Sequence, residues 1–540
     1  MFLRSDRLFL NEECMIKGKK RVLTWKNYHK YVGVISAVFM LFFCVSGIIL
    51  NHRKLFADCQ ISRAWLPGSY HFQNYNNGIL KGTVALDDSL VLAYGCAGIW
   101  LTNKDFSDFK DFNAGLPRGV DGRNIKNVVK TAEGTLWCAA LYDLYRHDGS
   151  GWVKQDLPDN EERLSDVALD KKGRQVLALT RSSVYTVSSL NLNDSTVYKV
   201  ERHLLQSPEN YTPKVTLFKT VWLLHSGELF GIVGKLAVDF VAVVMAVLCL
   251  TGMLLFVFPY VMRRHKRLMK GKIRKWEGTA MKWSQRWHNR LGYYLLALSL
   301  LVVVTGMCLR PPLMIPLALT KSSPLPGTVQ DQENVWSDKL RAIRWDKAEN
   351  AWLISTSDGF IRVDEQFRLP PVLLPSEKSP TVSPMGITVF KQENDGEWLV
   401  GSFSGMYRWS PASGDVADYF SGRPVEKRKA RPVAANMISG YTDDVGTGKL
   451  ITFDYVKGAT GLPMMPQLLK EQPMSLWNFA LELHVGRCYS PFLGPFSELF
   501  VFLSGLLITL VLLSGYIVYS RRKKKRGNIE ICINNNQFKT

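Results

Sequence analysis

Nine histidines are the residues of this chain best able to do chemistry, and six stand at the ends of apolar stretches: His29, His52, His225, His265, His288 and His484. His29 and His288 each precede a glycine by four residues (Gly33, Gly292) and the glycine of a Ser/Thr-Gly pair by eighteen (Ser46-Gly47, Thr305-Gly306). His225 and His484 each open Leu-His-x-Gly and lead to Thr251-Gly252 and Ser514-Gly515, the latter with four extra residues between. An isolated interfacial histidine is an ordinary headgroup anchor, but ionisable side chains near a bilayer are costly, and four in two repeat-related pairs point to function. Low-spin haem iron takes two neutral imidazoles on opposite faces of a flat macrocycle, which a twofold relation supplies. The pattern therefore assigns His29 with His288 to an inner haem and His225 with His484 to an outer one, all four as axial metal ligands. Without a Cys-x-x-Cys-His motif the cofactor is haem b, one or two per chain. His52 competes for the outer site, His265 reads as a solvated loop residue in a basic run, and His71, His147 and His203 show no ligand pattern. Gly33, Gly227, Gly292 and Gly486 would let a bulky ring approach the backbone, or serve close helix packing.

The elements that must position these residues are four apolar stretches near 31–50, 236–258, 291–309 and 496–519. Each is long enough to cross about 30 Å of hydrocarbon at a rise of roughly 1.5 Å per residue. The first starts about thirty residues in and is followed by Asn51-His52-Arg53-Lys54 rather than a small-residue cleavage site, so it reads as a retained span. Met15 opens a basic run and is a second candidate start. Lys17 to Lys30, Arg263 to Arg290 and Arg521 to Arg526 are strongly basic and alternate with loops of mixed charge, which places both termini and the middle connection inside. The net charge of +21 is thus a topology signal and an attraction to anionic lipid, not a nucleic-acid surface. The expected division is 1–28 inside, 29–52 first span, 53–224 outer loop, 225–261 second span, 262–287 basic inner loop, 288–312 third span, 313–483 outer loop, 484–520 fourth span and 521–540 inside.

The histidine spacing makes the chain two repeated span-loop-span halves about a pseudo-twofold axis along the membrane normal. The outer loops carry a shorter repeat: Trp398 to Trp409 parallels Trp352 to Arg362, with relatives at 134–146, 92–101 and 176–187. These strand, tight turn, strand units rich in Trp, Tyr, Val and Ile predict an all-β outer domain. Their spacing of about 40 residues is blade-like, so they read either as one β-propeller built from both loops or as two smaller β-domains. They resemble the propeller repeats of two-component sensor ectodomains. Of nine cysteines none forms Cys-x-x-Cys; Cys59, Cys96, Cys138 and Cys488 fall outside, where a disulfide can form, and Cys44, Cys249 and Cys308 read as packing residues.

The entries Tyr28-His29 and Trp287-His288, the two Leu-His-x-Gly entries, the Ser/Thr-Gly pairs and Asn51-His52 resemble the PepSY-associated transmembrane family over the membrane half of the chain. That resemblance implies an inner-membrane reductase of ferric siderophores in Gram-negative bacteria: haem-bearing, multi-pass, passing electrons to a periplasmic ferric complex during iron acquisition. Propeller-like units stand where an α+β PepSY pattern is expected, which opens the identity of the substrate. No Gly-x-Gly-x-x-Gly follows a strand, so electrons would come from quinol or from a cytoplasmic or membrane partner. The alternative from another class is a non-enzymatic sensor or scaffold with a ligand- or protein-binding outer β-domain. A coupled transporter fits less well, because Asp239 and Glu498 lie near the outer ends of their spans.

Overall fold

The computed structural model describes the chain outside residues 1–2, 193–194, 210, 269–274, 384, 394–395, 426–435, 446–447 and 538–540, and without side chains at 3–23, 190–192, 195–196, 275 and 525–537. It divides into two compact units. One is helical and comprises Met1–Arg53, Pro213–Asp331 and Phe479–Thr540; the other, Lys54–Thr212 with Gln332–Asn478, holds the sheets.

In lipid every backbone polar group must find its partner within the segment, so long runs of Leu, Val, Ile and Phe become helices. The helical unit contains α1 (Leu3–Asn51), α2 (Leu217–Ser226), α3 (Gly231–Leu268), α4 (Lys275–Tyr294), α5 (Leu296–Cys308), most of α6 (Leu476–His484) and α7 (Ser497–Gln537). Three described helices are long and apolar enough to cross a membrane, and a fourth crossing exists if α4 and α5 count as one span. Within each half the first span packs on the second, α1 on α3 and α5 on α7, and α1 also packs on α7. Met40, Cys44, Val241, Val244, Met245, Leu248 and Ile508 form their shared apolar core. Cys44 and Cys249 therefore pack as expected.

Two expectations for the spans need correction. The third is not one straight helix, because α4 meets α5 at a bend of 69°. Trp276, Trp283, Trp287 and Tyr294 fall on one exposed stripe of α4 at helical spacing, and α5 by itself is only about 20 Å long. The second and fourth spans do not begin at their histidines either. His225 and His484 lie in the last turn of the short helices α2 and α6. Gly227 (φ +80°) and Gly486 (φ +81°) follow in the left-handed conformation, which costs glycine nothing and lets the chain turn before the long helix starts. Matching hydroxyls start the two short helices: Thr216 accepts from the Lys219 amide and Ser475 from that of Asn478.

The β unit contains five four-stranded antiparallel sheets, at 82–111, 127–155, 164–203, 340–373 and 389–418, each with its strands in chain order, and a two-stranded sheet at 438–454. Side chains join each sheet to the next. Tyr94 donates to Asn127, Asn127 to the Val167 carbonyl, Ser165 to the Leu340 carbonyl, Gln392 to Asp346 and Thr388 to the Ile438 carbonyl, and Thr442 returns to Thr83 of the first sheet. Trp100, Trp137, Trp352, Trp398 and Trp409 are fully buried, so these five are sheet core. No disulfide forms among the described cysteines, Cys59, Cys96, Cys138 and Cys488 included.

Candidate functional site

The helical unit brings the histidines together in twos. The rings of His29 and His288 are 6.0 Å apart between centroids, and those of His225 and His484 are also 6.0 Å apart. Each member of a pair comes from a different half of the sequence, as the repeat requires.

A shared socket holds each ring. On the helix opposite, a Ser or Thr followed by Gly receives the imidazole. His29 Nδ1 donates to the Val511 carbonyl (3.0 Å) and to Ser514 Oγ (3.1 Å) on α7. His288 Nδ1 donates to the Leu248 carbonyl (3.1 Å) and Thr251 Oγ1 (3.0 Å) on α3. His225 Nδ1 donates to the Val302 carbonyl (3.0 Å) and Thr305 Oγ1 (3.2 Å) on α5. His484 Nδ1 donates to Ser46 Oγ (2.9 Å) on α1. The hydroxyls are oriented as acceptors because each already donates to a carbonyl of its own helix: Ser46 to Phe42, Thr251 to Val247, Thr305 to Leu301 and Ser514 to Val511.

The tautomer follows. At His29, His225 and His288 the carbonyl can only accept, and at His484 the Ser46 hydroxyl has already given its hydrogen to Phe42, so Nδ1 carries the hydrogen and the neutral ring keeps its lone pair on Nε2. Fixing one ring nitrogen this way is how a protein orients a metal-ligating imidazole.

The glycine after each hydroxyl makes room for the ring. A Cβ at Gly515 would stand 2.8 Å from His29 Cε1, at Gly306 2.9 Å from His225 Cε1, at Gly252 3.2 Å from His288 Cε1, and at Gly47 3.4 Å from His484 Cε1. The glycines nearer the histidines in sequence pack against the protein itself, as the helix-packing reading expects. Gly33 faces Val511 and Gly292 faces Leu248, while Gly227 lies against the backbone of Gly234 and Gly486 against Phe500. The Ser/Thr-Gly pairs were visible in the sequence at repeated spacing, but nothing there linked each to a histidine on another helix.

A family model described as the PepSY-associated TM region matches residues 13–258 and again 260–522. The chain belongs to the PepSY-associated TM family. It is a multi-pass membrane protein, and the double match spans both repeated halves. No curated protein sequence matches it. Among solved structures, this PepSY-associated TM protein is similar to the extracellular domains of two proposed hybrid two-component systems from B. thetaiotaomicron. For BT4673 the identity is 9%, the TM-score 0.33 and the coverage 70% of this chain and 32% of that one. For BT3049 the values are 8%, 0.30, 72% and 40%. The chain thus spans about a third of the length of the first.

The remaining histidines of the PepSY-associated TM protein have other partners. His52 Nε2 lies 2.6 Å from Asp239 Oδ2, and Asn51 Nδ2 bridges Asp239 Oδ1 (2.9 Å) and the Ser226 carbonyl (3.2 Å). His52 is therefore engaged by a carboxylate rather than by another imidazole. His265 is not a loop residue; it lies on α3, with Nδ1 2.5 Å from Glu277 Oε1 of α4. His71 contacts the Leu66 carbonyl, His147 stacks on Phe112, and His203 bonds Thr186. Among the described residues no group of three or more His, Cys, Asp and Glu could hold a metal ion. The pairs thus offer two protein ligands each, which suits axial ligation and not a tetrahedral zinc site.

Proposed function

We propose that this protein is an inner-membrane b-type haem reductase that passes electrons across the bilayer to a periplasmic ferric complex of the siderophore class. The observation that carries the reading is the pairing of four imidazoles, each with Nδ1–H held by a partner helix and Nε2 left as a lone pair. Two imidazoles that share one metal at roughly 2 Å from each Nε2 stand with ring centres about 6 Å apart, and both pairs have 6.0 Å. His29 with His288 would hold one haem and His225 with His484 a second, and these would supply one-electron carriers near the two ends of the spans. The chain's part is to hold four neutral rings rigidly and to keep water from them with the apolar spans.

The two sites are far apart along one helix: His29 and Gly47, the residue against His484, are eighteen positions apart on α1, about 27 Å. Aromatic side chains occupy part of that gap. Phe43 is 5.6 Å from the His484 ring and 6.2 Å from Phe500, which is 5.3 Å from Phe39. The basic inner segments orient the His29–His288 end toward the cytoplasm in this reading, and the β unit lies in the periplasm as a single propeller whose six sheets bond in sequence. The ferric complex is the substrate, and the donor is quinol or a membrane or cytoplasmic protein.

Purified protein from haem-replete cells tests the reading. It predicts two haems per chain, and it predicts that protein reduced without excess reductant yields Fe(II), caught by a ferrous-specific chelator, when given a ferric hydroxamate or catecholate. Haem-free protein whose integrity does not depend on the four histidines would instead favour a sensor or scaffold.

A further inference from the structure

At the end that carries His29 and His288, α3 and α4 hold an imidazole and a carboxylate that ligate nothing in the reading above. Glu277 stands in the first turn of α4 and is 1% exposed, with Oε1 on His265 Nδ1 and Oε2 without a hydrogen-bond partner among the described residues. A buried carboxylate is costly unless paired and fully bonded, and a buried polar atom left without a partner in a native structure calls for a ligand or a chemical task. The carboxylate accepts from Nδ1–H, so the His265 lone pair is on Nε2. The pair therefore presents two acceptors, Nε2 and Oε2, and an imidazolium formed there would be stabilised by Glu277.

The surroundings are apolar on one side and cationic on the other. Trp276 is exposed and packs edge-on against Phe258, 6.2 Å between ring centres, and Leu254 and Val257 are exposed on the same span. Arg263, Arg264, Lys266 and Arg267 flank His265 on α3. Lys282 and Arg286 follow on α4, and Lys30 of α1 stands over the Phe256 and Tyr260 rings of α3. Apart from Glu277 these charged groups are all basic. Glu277 and His288 share α4, eleven residues or about 16 Å apart on one face.

We propose that His265 and Glu277 are the proton-accepting site for a membrane-dissolved hydroquinone, which enters beside Trp276 and gives its electrons at the His29–His288 end. This deepens the reductase reading and rests on it. A hydroquinone becomes a quinone by losing two electrons and two protons. One after the other, the two O–H bonds break, and each proton passes to His265 Nε2 and then to water. The two electrons would leave one at a time for the one-electron carrier that His29 and His288 would hold, the first passing on to the ferric substrate before the second is taken, so that one hydroquinone would reduce two ferric ions. The lipid-facing apolar approach and the need to shed two protons favour this donor class over a dinucleotide.

The test uses the full-length, haem-loaded protein in detergent. Haem reduction by a short-chain benzohydroquinone is followed by stopped flow beside reduction by dithionite. Glu277→Gln and His265→Gln should each slow the hydroquinone reaction about a hundredfold, with the dithionite reaction and the oxidised spectrum unchanged. Unchanged hydroquinone rates in both variants overturn the proposal and leave the haem reading standing. A chain that binds no haem overturns that reading, and binding then decides the site by itself. The matching quinone should quench fluorescence saturably in wild type, more weakly in Glu277→Gln, and with loss of the Trp276 component in Trp276→Phe; no saturable quenching overturns the site.

Discussion

The two halves of the helical unit use the same imidazole socket but differ in how tightly it closes and in how each half joins its spans. A Cβ added at Gly47 or Gly252 of the first half would stand 3.4 or 3.2 Å from the ring it faces, whereas at Gly306 or Gly515 of the second it would stand 2.9 or 2.8 Å away. The residue twenty-two positions after each entry histidine also differs. In the first half it is Asn51, which with His52 binds Asp239; in the second it is Arg310, paired with Glu498 at 2.7 Å. A permanent cation in one half replaces a neutral amide and a titratable ring in the other. Aromatic bridging is one-sided too, since Leu298 and Val302 stand eighteen-residue-frame equivalents of Phe39 and Phe43. The comparison separates what the repeat must keep, the four sockets, from what each half is free to change.

The largest expected effect lies in the sockets. His225→Ala or His484→Ala should each remove the same haem and spare the other, whereas His29→Ala or His288→Ala should remove its counterpart; haem content and difference spectra check this. Loss of a haem on His52→Ala instead would break the pairing. The glycines come next. Alanine at Gly515 or Gly306 forces the ring to move and should cut haem occupancy severely, while alanine at Gly252 or Gly47 asks a few tenths of an ångström and should act mildly. Equal effects in both halves would erase the difference in tightness. Thr305→Val or Ser514→Ala removes one of two acceptors of a ring N–H, and haem titration should show affinity falling by up to roughly 10- to 100-fold. The smallest effect concerns the acids. Asp239, with its side chain 15% exposed, should cost about 2 kcal/mol when replaced by Ala, whereas Glu498, 54% exposed, should cost about 0–1 kcal/mol. Thermal unfolding in detergent, read as a difference between the two variants, measures this.

Much of this was legible in the sequence because the repeat writes it twice. His29 and His288 share one spacing to Ser/Thr-Gly, which is why their pairing could be read. The socket itself was not, since His29 meets Ser514 across 485 residues and periodicity along one helix says nothing about its neighbour. The glycines after His225 and His484 stood out by their spacing, but a positive φ that ends a short helix and a backbone that yields to a ligand both call for glycine, and the pattern does not separate them. The bend at Leu295 has no proline to announce it; Gly292 stands three residues earlier, but its repeat equivalent Gly33 lies within the continuous α1, and Tyr293, Tyr294 and Leu295 continue the apolar run. The strand repeats around Trp352 and Trp398 were clear because Trp, Val and Ile alternate between tight turns. The hydrogen bonds that join one sheet to the next depend on single polar residues such as Asn127 and Thr388, which no pattern marks.

The central claim is that the two imidazole pairs each hold one haem. Its most direct test is the dithionite-reduced minus oxidised spectrum of purified wild type beside His288→Ala and His484→Ala. The account predicts a reducible Soret band in wild type and about half of it in each single variant, with the double variant featureless. A wild-type chain from haem-replete cells with no reducible Soret band would contradict it.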